Sequence, residues 1–314
     1  MRGATWNLEN FFAPDASDAA PTSRAAYDAK VASLAGTIRA LAPDVIPVQE
    51  VGPSPVLDDL VAAVGGRWHT AVAAPDGRGI RVGLLARRVL RDVEQITEVP
   101  AGLGPVQIDD DGRTMTRLSR PGLKATIRFG GRDVHVVSVH FKSKLLTFPG
   151  GRFSTRDEGV RARYAVYALH RRAAEAAAVR SYATGLLERG TGTAVPAVVV
   201  AGDLNDEGAS ATTQILYGPP GSELGTGGFD RPDAGDPQRL WSLDTLIPVE
   251  DRYSRVYRGR GELIDHILVS APLVHAVTTV GAGPGAAPSI TDDPHARRDE
   301  PGSDHRPVHA HFRD

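Results

Sequence analysis

The sequence predicts an α+β protein in which two packed, mixed β-sheets are flanked by helices. Strand-like and helix-like segments alternate along all 314 residues. Hairpin signals at Asp76-Gly77 and Gly130-Gly131 are interspersed with helical periodicity, a mixture that calls for antiparallel strands beside helices. No short-period repeat and no sharp composition break divides the chain, so residues 1–314 read as one domain.

The elements follow in order. Ala4–Asn10 alternates as a strand and puts Thr5, Asn7 and Glu9 on one face. A Pro/Asp/Ser-rich loop over 13–24 leads to a helix at Tyr27–Leu41, whose apolar side is Val31, Leu34, Ile38 and Leu41 and which Pro43 stops. Val45–Val51 is a second strand; Pro47 removes a ladder donor there and implies an edge, a bulge or a break. A short helix, Val56–Val64, ends at Gly65-Gly66. Trp68–Ala74 and Arg81–Arg87 form one hairpin, and Lys124–Phe129 and Asp133–Lys142 a second. Val160–Leu187 is a long Ala-rich helix, and Val195–Ala201 is an apolar run of the length of a buried strand. Loops around a short helix fill 209–241, and Leu263–Val269 and Pro307–Phe312 are the closing strands.

Lys+Arg total 36 against 38 Asp+Glu, a net charge of −2 that neither demands nor forbids nucleic acid, because binding depends on local patches. There is no cysteine, which excludes disulfides, thiolate catalysis and cysteine metal sites. The first strand begins beside Met1, leaving no room for a leader, and no run approaches the ~18 apolar residues of a membrane span. The expectation is a cytoplasmic protein with no membrane attachment and no obligate protein partner.

Several hydrophobic runs end in groups suited to phosphate chemistry. Asp203 and Asn205, two apart after the buried strand, point the same way in extended backbone. A carboxylate beside an amide suits Mg²⁺ coordination or the binding of a phosphoryl oxygen and attacking water; an Asx turn with Asp206 and Gly208 accounts for the same residues. Asn7 and Glu9 repeat the pattern on the first strand, where an exposed strand face would serve equally. Glu50 ends an apolar run, so its carboxylate is solvated, paired or bound to a cation. His140 and Lys142 share a strand face and could donate to a phosphate oxygen, or simply face water.

Near the end, Asp304 and His305 are neighbours on an extended chain and point apart, so a distant carboxylate such as Asp265 is needed to orient His305. By the same geometry His266 turns away from Asp265 and reads as structural, as does His135. The loop Lys142–Arg156, with Arg152 and Arg156 and with Phe148 and Phe153 interleaved, is a candidate for substrate contact. Arg78, Arg81, Arg258 and Arg260 are further candidates for phosphate.

Taken in order, Thr5–Asn10, Gln49-Glu50, Ser138–Lys144, Gly202–Asp206, Asp265-His266 and Ser303–Val308 resemble the motifs of the endonuclease/exonuclease/phosphatase superfamily, the bacterial nuclease and hydrolase members above all. The resemblance spans Thr5 to Val308. It implies a four-layer α/β/β/α sandwich with the site at one edge, and a divalent cation, Mg²⁺ or Mn²⁺. Glu50 resembles the principal metal ligand, helped by Asn7 and Asp304. Glu9 stands where the AP endonucleases have an aspartate, a change that shifts the metal. Asp203 and Asn205 resemble the pair that positions water and a phosphate oxygen, and His305, oriented by Asp265, the general base or phosphate-contacting histidine. His140 is similar to the histidine of the DNase and sphingomyelinase branches, where AP endonucleases place a tyrosine.

The implied activity is metal-dependent phosphoester hydrolysis, with a nuclease acting on nucleic acid as the first reading. A small-molecule or lipid-headgroup phosphatase is the alternative on the same scaffold, and a non-catalytic metal-binding module the alternative of another class.

Overall fold

The alternating run at the start of the chain forms β1 (Arg2–Phe11). The strands that build the two main sheets continue with β2 (Val45–Val51), β3 (His69–Val72), β4 (Arg81–Ala86), β5 (Arg91–Glu98) and β6 (Arg117–Phe129). They finish with β7 (Arg132–His140), β8 (Ala197–Asp203), β9 (Leu240–Ser242), β10 (Asp265–Ser270), β11 (Val277–Ala282) and β12 (Val308–Phe312). The main helices are α1 (Arg24–Leu41), α2 (Pro55–Val64) and α3 (Glu158–Leu187). This computed structural model describes residues 1–190, 195–231, 235–293 and 296–313.

One six-stranded sheet has the order β11-β12-β1-β2-β4-β3, the other β9-β10-β8-β7-β6-β5. Both are mixed. β1 runs parallel to β2 and β7 parallel to β8, while β8 meets β10 antiparallel.

Side-chain alternation sorts the layers. Along β8, Val199 and Ala201 face the other sheet with Leu84, Val136, Ile267 and Ala310. Val198 and Val200 face outward against Val179, Ala183 and Leu187 of α3. On the other flank, Leu34 and Ile38 of α1 and Leu57 and Leu60 of α2 cover Leu8, Ile46 and Leu85. Each such aliphatic side chain contributes about 1.5–3 kcal/mol on burial. The result is the four-layer α/β/β/α sandwich. Ser23 caps α1 by accepting the Ala26 N–H at 3.1 Å, and Asp157 caps α3 through Val160 at 2.9 Å.

The structure selects one of the alternatives at Pro47 and corrects two other readings. β2 is no edge strand: it lies between β1 and β4, and Pro47 pairs with Leu84 inside the sheet. The irregularity that proline signalled falls between Val48 and Val51, where the register shifts. β5 and β11 escaped the sequence pattern because their outward faces are polar and exposed. The strand expected at Lys124 begins earlier, at Arg117. Among the described residues no helix is long and apolar enough to cross a membrane.

Candidate active site

Register assembles the centre. Asp203, the last residue of β8, pairs with His140 of β7 on one side and with Asp265 of β10 on the other. Paired residues share a face, so all three side chains enter the gap between the sheets at one edge. The sharp approach of β8 to β7 explains the preceding glycine: a Cβ on Gly202 would lie 1.9 Å from the Val139 carbonyl oxygen. Across the gap, β1 and β2 bring Asn7 and Gln49 into register, and Glu50 follows.

The side chains interlock. Asn7 Nδ2 donates to Asp203 Oδ2 at 3.0 Å and to Glu50 Oε1 at 3.3 Å. The Asn10 N–H holds Glu50 Oε2 at 2.8 Å. His140 Nε2 lies 3.5 Å from Asp203 Oδ2 and 4.0 Å from Glu50 Oε1. The Asn205 N–H donates to Asp203 Oδ1 at 2.8 Å, and its side chain donates to the Phe141 carbonyl at 3.0 Å, tying the ends of β7 and β8 together. His305 Nδ1 meets Asp265 Oδ2 at 2.6 Å, leaving Nε2 4.0 Å from Asp304 Oδ1. Glu9, Asn10, Glu50 and Asn205 have φ of 49°, 47°, 59° and 54°, left-handed backbone that non-glycine residues adopt at a cost.

Burial and close charges set the protonation states. Desolvation and the nearby Asp265 raise the Asp203 carboxyl to about 6, against the opposing pull of His305 and Asn7. Burial alone would lower His305, but the carboxylates of Asp265 and Asp304 outweigh it and raise the imidazole to about 10. His140 is held well below the ordinary histidine value by burial and by the positive charges of Arg120 and His305. Burial raises Asp304, with Glu50 adding to the rise against the opposing charge of His305.

The donor set fits a hard cation. The carboxylate oxygens of Glu50 and Asp304 are the type that Mg²⁺ takes. Asn7 turns its Nδ2 toward Glu50 while its Oδ1 accepts the Glu9 N–H at 2.9 Å, so it joins them as an oxygen ligand only with its amide reversed. Asp203, Asp265 and His305 also bring ligand-type atoms within 4.8 Å of one another, all three buried. Within that trio the Asp265–His305 contact is already a short hydrogen bond, and Asp265 Oδ1 is buried with no hydrogen-bond partner among the described residues.

The other residues singled out from the sequence lie further out or are engaged. Both Glu9 oxygens are taken by Arg297, at 2.9 and 3.2 Å, with Lys30 at 3.9 Å. Lys142 turns its ammonium back onto Ser143 and the Leu145 carbonyl. Arg152 is exposed and bonds the Pro149 carbonyl, Arg156 is exposed, and Arg81 donates to the Gly79 carbonyl. Arg258 pairs with Asp292.

Supporting residues went unassigned in the sequence. Ser303 Oγ donates to the Asn7 carbonyl at 2.7 Å and accepts the His305 N–H, while Trp6 Nε1 holds the His305 carbonyl at 2.8 Å. Both sit inside the quoted motifs, so their position was the available signal. Arg172 and Glu175 of α3 clamp the Lys142 carbonyl and N–H at 3.0 and 2.6 Å. Nothing in the Ala-rich pattern of that helix marks them.

Residues 4–305 match the model of the endonuclease/exonuclease/phosphatase family, and the chain belongs to that family. Its members are phosphoester hydrolases and typically use divalent metals. No curated protein matches the chain in sequence. Among solved structures, a mannosyl-6-phosphatase from Bacteroides thetaiotaomicron is similar at 16% identity and TM-score 0.58, with all of both chains covered. The 3′ phosphatase NExo from Neisseria, bound to product DNA hairpin, is similar at 18% identity and TM-score 0.56, again over the whole of both chains. The human Nocturnin catalytic domain with bound sulfate is similar at 14% identity and TM-score 0.56, covering 100% of this chain and 94% of that one. At such identities the likeness is one of fold.

Proposed function

We propose that the chain is a Mg²⁺- or Mn²⁺-dependent phosphodiesterase that works as a nuclease, with residues 1–314 acting as one catalytic domain. The observation that carries this reading is the placement of Asp203 Oδ2, 3.0 Å from Asn7 and 3.5 Å from His140, beside an imidazole oriented by its own carboxylate. Asp203 accepts the proton of the attacking water, which its value of about 6 permits at neutral pH. The new P–O bond forms in line with the bond that breaks, and the leaving oxygen takes a proton from solvent. His305, doubly protonated, donates its free Nε2–H to a phosphoryl oxygen. His140, kept neutral, offers an N–H to the same group, and Asn205 braces the loop that carries Asp203.

Glu50, Asn7 and Asp304 would hold the cation, with Glu9 behind them fixed by Arg297. A divalent cation bound there neutralises charge developing on the phosphoryl and leaving oxygens.

The test is turnover with Mg²⁺, Mn²⁺ or EDTA on plasmid, single-stranded DNA, RNA, bis- and mono-nitrophenyl phosphate and phospholipid, with Asp203→Ala as the blank. Metal-dependent cleavage of a polynucleotide that the blank lacks is the expected result. Preference for a monoester would transfer the reading to a phosphatase. Metal binding with no turnover of any ester would end it.

A further inference from the structure

The turn between β3 and β4 presents an exposed cation, Arg78. Among the described residues its guanidinium makes no hydrogen bond or ion pair. The turn beneath it is held firmly. Asp76 Oδ1 accepts the N–H groups of Arg78 and Ile80 at 2.8 and 3.0 Å, and the Asp76 N–H donates to the Ile80 carbonyl at 2.9 Å. Ile80 packs with Phe12 and Ala20.

The turn is also fastened to the catalytic edge. Asp76 Oδ2 takes Arg120 Nη2 at 2.7 Å and Nε at 3.2 Å, and Arg120 Nη1 donates to the His140 carbonyl at 3.1 Å. The Arg120 and Asp76 side chains are only 14% and 10% exposed. At the other end of the turn Arg81 pairs with Val51, next to Glu50. The loop therefore spans the rim from the Glu50 side to the His140 side, and the charge of Arg78 is felt at His140.

A largely desolvated ion pair is an expensive way to hold a solvent-facing turn. Its effect is to fix the backbone of Arg78 at a set position relative to His140, which lowers the ordering cost when an anion binds. We propose that Arg78 is a specificity-determining residue that receives a second phosphate of the substrate, displaced from the scissile one toward the His140 side. A nucleic-acid strand supplies that group at the neighbouring nucleotide, and a small bisphosphorylated ester supplies it as well. The inference rests on the phosphoesterase reading above and adds which substrates that site prefers.

A matched pair of probes decides it: thymidine 5′-(p-nitrophenyl phosphate) with and without a 3′-phosphate, alongside a DNA oligonucleotide, each with Mg²⁺. Arg78→Ala should cut kcat/KM about tenfold on the 3′-phosphorylated ester, mainly through KM. That loss should exceed the loss on the unphosphorylated ester at least about fivefold. Arg78→Lys should recover part of it, a point charge replacing a fork. On the oligonucleotide the salt slope of binding should fall by about one. Equal losses on both esters, or none on either, overturn the proposal.

Cleavage of the esters but not of the oligonucleotide would assign the second phosphate to a small molecule. Failure of the unmodified protein to turn over any ester would remove the phosphoesterase reading, and this inference with it.

Discussion

Two carboxylate–imidazole pairs lie back to back at the end of β10, and only one of them faces the cleft. His305 meets Asp265 at 2.6 Å, and His266, the next residue along from Asp265, meets Asp244 at 2.7 Å. Both imidazoles are buried and both are raised, to about 10 and about 9: burial alone would lower each, and the paired carboxylates outweigh it. The second nitrogen separates them. His266 Nε2 bonds the Asp206 carbonyl at 2.7 Å, whereas His305 Nε2 is left 4.0 Å from Asp304. A charged histidine with every nitrogen engaged is a brace; one with a nitrogen to spare can act on a substrate.

The largest expected effect lies on the open side. Asp203→Ala and His305→Ala should each lower kcat by about 10³-fold or more with the fold retained by circular dichroism. Next comes the closed pair. His266→Ala strands the Asp244 carboxylate and the Asp206 carbonyl and should cost about 3–5 kcal/mol of stability in urea titrations. A loss confined to kcat, with the unfolding midpoint unmoved, would show that His266 is not a brace.

A middle-sized effect separates orientation from charge. Asp265→Asn should lower kcat about 10²-fold. In the unmodified protein the rate should rise through about pH 6 with Asp203 and fall through about pH 10 with His305. Removing the Asp265 charge should draw that alkaline limb toward neutrality. The smallest effect is on stability alone. The folded value of His266 lies above the ordinary 6.5, so its contribution is complete below about pH 6.5 and is lost as pH rises through about 9. Melting temperatures from pH 6 to 9 should fall less in His266→Ala than in the unmodified protein.

Half of this contrast was readable in the sequence: on the strand β10 the neighbours Asp265 and His266 turn apart, whereas Asp304 lies in a bend before the last strand, and its carboxylate comes within 4.0 Å of His305 Nε2 instead of pointing away. Much of the fold was readable too, since the apolar run Val195–Ala201 and the turn signals of the hairpins stand in the sequence. Long-range partners were not. Alternation puts Glu9 beside Asn7, yet left-handed backbone at Glu9 and Asn10 breaks the alternation and shifts the register of β1 before Phe11, and Arg297, from a distant loop, takes both Glu9 oxygens. Lys142 looked like an outward cation, but local carbonyls that no pattern announces capture its ammonium. Arg172 and Glu175 were invisible because a clamp on another segment leaves no trace in helical periodicity.

The left-handed residues at the strand exits bear on how this protein could be engineered. Glycine at Glu9, Asn10, Glu50 or Asn205 would relieve the backbone there, and a search for higher melting temperature would be drawn to those positions. At Glu50 and Asn205 the same exchange deletes a side chain that the cleft uses. Thermal hardening and turnover pull in opposite directions at these residues, so variants selected for heat tolerance alone should drift toward well-folded, inactive sandwiches.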